Sequence, residues 1–349
     1  MKARKRIDIA VYLAAFIIII AGAMYAASIV TPLLMALFIS IVCAEPIRWL
    51  QKKRVPQILA IVIVFVGIVA VFFGLGELIG STLSSFSEEA PQYEKNLNDM
   101  GVSLLQFFSE RGINISTDEL TGLFNPSKIM SVTAGFLGQL GGFMSNALII
   151  FFLVLFLLLE LDSVNIKASA IVKDTTESLS YFKVIGDNIR HYLSIKTLSS
   201  LTTGLCIWIC LAIAGVDYAI IWALIAFLLN YIPNIGSILA AVPAVLFSMI
   251  QLGYGAAFTT ALIFVIVNVV IGNVIEPKMM GKGLGLSTFV VFFSLLFWGF
   301  VFGTVGMFLS VPLTMAIKIM LEQNPDTKAI AIILGTQSEA QAILDAKKG

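Results

Sequence analysis

From residue 197 to residue 317 the chain carries only four charged side chains: Asp217, Glu276, Lys278 and Lys282. In that apolar background the groups able to do chemistry are amides and one acid: Asn230, Asn234, Asn268, Asn273 and Glu276. An amide both donates and accepts hydrogen bonds, so a cluster of amides suits a neutral polar molecule better than a strongly charged one. Asp217 belongs to a short connection, which leaves Glu276 as the acid near the core. It stands ahead of Pro277 at the end of a span, where a partly buried acid can exchange protons. A local pair with Lys278 or Lys282 that only fixes the loop is the competing reading. For the asparagines the competing reading is glue between helices. Their clustering favours a solute pathway, because polar groups inside a membrane are costly.

The amides arrive together with helix breakers. Residues 230–243 read NYIPNIGSILAAVP, with apolar sequence on both sides. Pro233 withholds a ladder donor, Gly236 permits a turn without a Cβ clash, and Ser237 adds a hydroxyl. A second long apolar stretch, 286–317, is interrupted by GFVFGTVG, which supplies Gly303, Thr304 and Gly306. As one helix, residues 219–250 would measure ~48 Å against a hydrocarbon core of ~30 Å. Each long stretch is therefore predicted to be a re-entrant hairpin of two half-length helices joined by an irregular tip, a backbone tolerated at membrane depth only when buried in protein or lining a cavity. Broken helices expose carbonyls, N–H groups and helix-end dipoles that can bind solute or ion. The expected substrate site is Asn230, Pro233, Asn234, Gly236, Ser237, Asn268, Asn273, Gly303, Thr304 and Gly306. The expected coupling or gating residues are Glu276, Pro277 and Lys278.

These residues need elements to position them, and composition says which kind. Hydrophobic residues make up 59% of the 349-residue chain and charged residues 12%, with mean hydropathy +0.98. Soluble domains carry about 25% charged residues, so the fold class is an all-α polytopic membrane protein. The apolar segments are about eight: 9–30, 32–44, 57–80, 143–161, 197–214, 219–250, 255–275 and 286–317. Span 197–214 precedes one punctured hairpin and span 255–275 precedes the other. If neither hairpin crosses, the two units have opposite orientation, the inverted repeat of secondary transporters.

MKARKR followed by IAVYLAAFIIII resembles an export signal, but the apolar run continues through residue 30, past the ~7–15 residues of a signal core. An uncleaved first span is expected, turning near residue 31 into a second, short span that ends at Glu45-Pro46. Basic residues 2–6 and 48–54 then lie in the cytoplasm, as do both termini. The division expected is 1–81 for the first three spans, 82–142 for an external amphipathic helical segment and 143–161 for the fourth span. It continues with 162–196 as a cytoplasmic amphipathic helix, 197–318 as the transport core and 319–349 as a cytoplasmic tail. In the external segment Phe86, Tyr93, Leu97, Met100, Leu104 and Phe108 recur at helical spacing. Asn125-Pro126 reads as a helix start, and Gly135, Gly138, Gly141 and Gly142 give the next helix a smooth packing side.

The blocks NYIPNIGSILAAVPA, GNVIEPKMMGKGLGLS and FWGFVFGTVGMFLSVPLT resemble the successive signatures of the autoinducer-2 exporter family, close to its quorum-sensing exporter subgroup. The resemblance runs from YLSIKTLSSLTTG at 192–204 to ILGTQ at 333–337; the N-terminal half matches in layout only. It implies a bacterial inner-membrane transporter exporting autoinducer-2, assembled as a homo-oligomer, with a pentamer implied. Some relatives are linked to sodium–proton antiport, so a cation/proton antiporter stays as the alternative. One departure is Thr304, where the family pattern leads one to expect proline after Gly303.

An enzyme is not expected. No nucleophile motif pairs with an intramembrane histidine, no metal set is present, and no phosphate loop occurs. No cofactor is implied. The three cysteines, Cys43, Cys206 and Cys210, read as small buried residues. Net charge +1 gives no support for nucleic acid. The partners expected are a small solute, the lipid bilayer and further copies of the chain.

Overall fold

The computed structural model describes residues 2–111, 135, 147–171, 176–233, 235–280 and 285–346. The helices are α1 (Lys2–Tyr25), α2 (Ala27–Lys52), α3 (Gln57–Ser109), α4 (Ala147–Ile171), α5 (Thr176–Ile213), α6 (Ala219–Leu229), α7 (Gly236–Leu252) and α8 (Tyr254–Asn268). A π-helical segment, Val269–Ile275, follows α8, and then α9 (Glu276–Met280), α10 (Thr288–Gln323), α11 (Lys328–Leu334) and α12 (Gln337–Ala346). No strand occurs among the described residues. Among the described residues, five stretches are long and apolar enough to cross a membrane: 27–52, 57–103, 184–213, 254–280 and 288–323. Three shorter apolar helices cover 147–160, 219–229 and 236–252. The chain is a multi-pass all-α membrane protein. Helices dominate because hydrocarbon cannot satisfy an open backbone, whereas a helical ladder satisfies itself. Its outer surface is apolar: Ile18, Phe258, Phe289 and Phe300 are all exposed.

The turn expected near residue 31 is absent. Pro32 and Pro46 both lie inside α2, and the interruption falls at Ala26. There the ladder carries on through Ala26 N–H to Gly22 O and Val30 N–H to Ala26 O, both 2.9 Å. A proline removes one donor from a helix, and a long apolar helix withstands the loss. Helix α3 passes residue 81 without a break. At 53 residues it measures about 80 Å, far more than a bilayer core requires, and its extension buries Phe86, Tyr93 and Leu97 as the apolar spacing predicts. Helix α5 likewise joins an amphipathic stretch to the span after residue 197. The helix start at Asn125-Pro126 lies outside the described residues, as do Gly138, Gly141 and Gly142. Cys43 is buried, but Cys206 and Cys210 are only half-buried.

The chain divides into two compact units, one of residues 1–65, 148–196 and 280–349, the other of residues 66–147 and 197–279. In the first, α10 packs on α1, α2 and α11. In the second, α6 packs on α7 and α7 on α8. The core of this second unit gathers around Trp222, Phe247 and Phe264, each almost fully buried. The ring of Phe247 is met by Tyr93 at 5.3 Å, Trp222 at 5.4 Å, Tyr218 at 5.6 Å and Phe86 at 6.2 Å.

Candidate functional site

Both punctured stretches fold back. Trp222 on α6 meets Phe247 on α7 although 25 positions separate them; in a continuous helix they would lie about 37 Å apart. In α10 the reversal is at Gly303, whose φ of 62° and ψ of −145° leave the helical region. Across it the Trp298 indole N–H donates to Thr314 Oγ1 at 3.0 Å. Sixteen residues of helix would separate these groups by about 24 Å. The half-length arms and irregular tips read from the sequence are therefore present in both.

At each tip a glycine sits on a carbonyl of the incoming arm. A Cβ on Gly236 would fall 1.7 Å from Leu229 O, and one on Gly306 would fall 1.9 Å from Trp298 O. No side chain fits either gap. The first tip continues α6 through Asn230, turns over Tyr231, Ile232 and Pro233, and starts α7 at Gly236. Asn234 lies outside the described residues.

Helix α5 supplies the polar partners of this first tip. Asn230 is buried and its Nδ2 donates to Ser200 Oγ at 3.0 Å. The Tyr231 hydroxyl donates to Thr197 Oγ1 at 2.8 Å. One residue before Ser200, the Ser199 hydroxyl donates to Glu276 Oε2 at 2.9 Å. Ser199, Ser200 and Thr203 are nearly inaccessible, at 2%, 0% and 2% exposure. Gly204 sets the approach of α6: a Cβ there would stand 3.0 Å from Phe227 Cβ and 3.1 Å from Ala223 O. One stretch of α5 thus meets the hairpin tip through Thr197 and Ser200 and the carboxylate through Ser199.

The π segment aims Glu276. Buried positions follow helical spacing at Thr260, Phe264, Val267 and Ile271, and then comes Glu276, five residues on. In an α-helix a step of five turns a side chain ~140° off the face. The wider i→i+5 turns of residues 269–275 return it inward. Asn268, at the head of this segment, donates Nδ2 to Phe264 O at 2.7 Å.

The predicted residues therefore separate. Asn230 and Glu276 both bond α5, through Ser200 and Ser199, and Gly236 is buried at the tip that Asn230 begins. Pro233 and Ser237 are half-buried at the same tip, Asn268 is engaged with its own helix, and Asn273, Pro277 and Lys278 are exposed. Ser199 is a hydrogen-bond partner of Glu276, and Lys282, one of the two lysines of the competing reading, lies outside the described residues. Gly303 and Thr304 are exposed at the second tip, which belongs to the other unit. The sequence reading missed Thr197, Ser199, Ser200 and Tyr231. The available signal was TLSSLTTG, where hydroxyls recur at helical spacing within a span.

The feet of the first hairpin are tied as well. The Asp217 N–H donates to Gln251 Oε1 at 2.8 Å, Gln251 Nε2 donates to Gly215 O at 3.1 Å, and Asn96 Nδ2 donates to Ile250 O at 3.2 Å. Glu89 on α3 accepts from the hydroxyls of Tyr93 and Tyr218, and these bonds hold its carboxyl below the usual range. Burial, then the charge of Glu89, pushes the Asp217 carboxyl up. Burial followed by the bond to Glu89 pushes Tyr218 up to about 12.

Comparison with known proteins places the chain. The profile of the AI-2E family transporters matches residues 13–326. A Haemophilus influenzae protein named "Putative transport protein" is 43% identical over 331 residues, covering 93% of this chain and 94% of its own. The "AI-2 transport protein TqsA" of Escherichia coli K12 is 38% identical over 328 residues, covering 94% and 95%.

Proposed function

The chain belongs to the AI-2E transporter family, and from that premise we propose that it exports a small neutral polar solute, autoinducer-2, by secondary transport across the bacterial inner membrane. The observation that carries the reading is the buried amide–hydroxyl set at the first tip, where Asn230 bonds Ser200 and Tyr231 bonds Thr197. Such groups recognise a polyhydroxylated, uncharged molecule by exchange of hydrogen bonds, and repeat no charge that an ionic solute would need. The name of the E. coli relative supports autoinducer-2 as that molecule. In this reading the first tip binds, Gly303–Gly306 gates, and the two span-plus-hairpin units form an inverted repeat with a cytoplasmic C-terminus. The matching seat of Gly236 and Gly306 on a carbonyl of the preceding arm supports the repeat. Assembly as a homo-pentamer, implied by the resemblance, belongs to the same reading.

The test is efflux of autoinducer-2 from proteoliposomes holding the full chain, with and without imposed proton and sodium gradients. Native efflux that Asn230→Ala and Asn234→Ala both slow is expected; efflux no faster than from empty liposomes under every gradient overturns the reading. One observation favours the second reading, cation/proton antiport: Glu276 is buried, at 9% exposure, and hydrogen-bonded by Ser199. Sodium-driven proton movement that Glu276→Gln abolishes would select it. A cysteine at Gly281, labelled by an impermeant reagent from the cytoplasmic side only, checks the sidedness.

A further inference from the structure

The second arm of α10 carries a cation where an apolar residue would be expected. Lys318 is buried, its side chain 8% exposed. Its Nζ lies 2.8 Å from Glu339 Oε2 and 3.2 Å from Glu322 Oε1. Glu322 is one turn along the same helix. Glu339 comes from α12, twenty-one residues away. Removing a charge from water is expensive, and well-packed apolar residues usually serve stability at least as well. A buried lysine held by a distant partner therefore points to a fixed registry.

The same carboxylate has a second task. Residues 336–339 read TQSE, a capping box at the start of α12. The Thr336 N–H donates to Glu339 Oε2 and the Glu339 N–H donates to Thr336 Oγ1, both at 3.3 Å. The helix start and the lysine are thus locked to one side chain. Next to it, the Ser287 N–H donates to Leu334 O at 3.1 Å. Ser287 is the N-cap of α10, its hydroxyl accepting from the Val290 N–H. The chain entering the hairpin crosses the ion pair at Gly285, where φ is +65° and a Cβ would stand 3.0 Å from Glu339 Oε1 and 3.1 Å from Lys318 Nζ. Both feet of the hairpin, 285–287 and 318, are therefore held by residues 334–339. A cleft of about 270 Å³ lined by Ala331, Ile332 and Ile343 borders the pair.

We infer that Glu339 is a positioning residue for transport: with Lys318 and Leu334 it clasps the feet of the second hairpin at a set separation, so that motion is confined to the Gly303 tip. The inference rests on the transport reading above. It treats residues 324–346 as a working part of the gate.

The test uses the full chain with Cys43, Cys206 and Cys210 replaced by alanine, spin labels at Thr288→Cys and Ile317→Cys, and pulsed dipolar distances in proteoliposomes. Alongside it, autoinducer-2 efflux is measured in the unlabelled chain. The decisive variant is Lys318→Met with Glu339→Gln, which leaves no unpaired buried charge and so keeps the fold; Glu339→Gln alone is the second. Both are expected to widen the foot-to-foot distance distribution at least twofold. The double variant should lose about tenfold in maximal efflux rate per folded protein, with the half-saturating concentration within twofold and the melting temperature near native. A native-width distribution in the double variant overturns the inference, and so does native turnover with widened feet. Should the native chain move no autoinducer-2, the transport reading fails by that result. The distance measurement then decides the clasp without it.

Discussion

Hairpin 219–252 and hairpin 288–323 reverse the chain with the same device, a glycine seated on a carbonyl of the incoming arm, yet they are secured differently. The first is bonded at its tip through Asn230 and Tyr231 and at its feet through Gln251, Asn96 and Glu89. The second is bonded across its arms by Trp298 and Thr314 and at its feet by Lys318 and Ser287, while Gly303 and Thr304 are exposed. A hairpin held at both ends is suited to keep a site in shape. One held at the feet with an open tip is suited to move.

The shared device should give the largest effects. Gly236→Ala and Gly306→Ala each push a methyl into a backbone carbonyl, and each should cost about 3 kcal/mol or more, read as loss of thermal stability in detergent. Gly303→Ala meets no neighbour within 4 Å, so only its backbone conformation is penalised, at about 1–3 kcal/mol. If Gly303→Ala is as damaging as the other two, the second tip is packed in a way that the open-tip picture denies.

The tips themselves should then diverge. Asn230→Ala leaves Ser200, fully buried, without its donor and should cost about 2 kcal/mol while slowing efflux. Thr304→Val should change stability by less than about 0.5 kcal/mol, as expected of an exposed position, and alter only rate. Equal melting of the two variants would erase the distinction between a bonded and a free tip.

Glu276→Gln and Ser199→Ala ask whether the first hairpin's neighbourhood carries coupling. About a tenfold fall in rate, roughly 1.4 kcal/mol in barrier, is expected for Glu276→Gln. Ser199→Ala, which removes the hydroxyl that donates to the carboxylate, should lower the rate by less than Glu276→Gln does and leave solute affinity alone. An unchanged rate in both would confine Glu276 to a structural role.

The smallest effect concerns the feet. The carboxyl of Glu89 is lowered in the folded chain, so its contribution is present above the unfolded value of about 4.3 and fades as pH falls through the lower folded value. Asp217 is raised and works in the opposite sense, since its folded form favours the proton. Glu89→Gln should therefore remove part of the fall in melting temperature below about pH 4. A steeper acid loss in that variant would mean that the Tyr93 and Tyr218 bonds are not what acid releases.

Much of this was legible in the sequence for local reasons. Pro233, Gly236, Gly303 and Gly306 puncture apolar runs too long to be single spans, and breakers act on the backbone where they stand. The buried face of α3 showed in the spacing of Phe86, Tyr93 and Leu97. What escaped needed tertiary knowledge. Ser199 and Ser200 are ordinary in a membrane helix, where a hydroxyl can bond its own backbone, and only the fold puts Glu276 and Asn230 before them. The Asn96 bond to Ile250 spans 154 positions, and the Lys318–Glu339 pair has no local pattern. The turn misplaced near residue 31 shows the converse: Pro32 punctuates the text, yet α2 absorbs it.

The π segment at 269–275 has a mechanical meaning beyond its aim of Glu276. A wide turn is one residue of slack stored in a helix, and slack can travel. If the surplus residue passes from 269–275 toward Asn268, whose amide already props the Phe264 carbonyl, each side chain it passes rotates by about a quarter turn while the helix ends stay fixed. Val269, Val270 and Gly272 would then exchange the faces they present without any rigid-body displacement of α8. Deleting Val270 takes up the slack. The spacing from Phe264 or Val267 to the carboxylate returns to the ordinary period, so the acid keeps its inward direction and the segment loses its ability to creep.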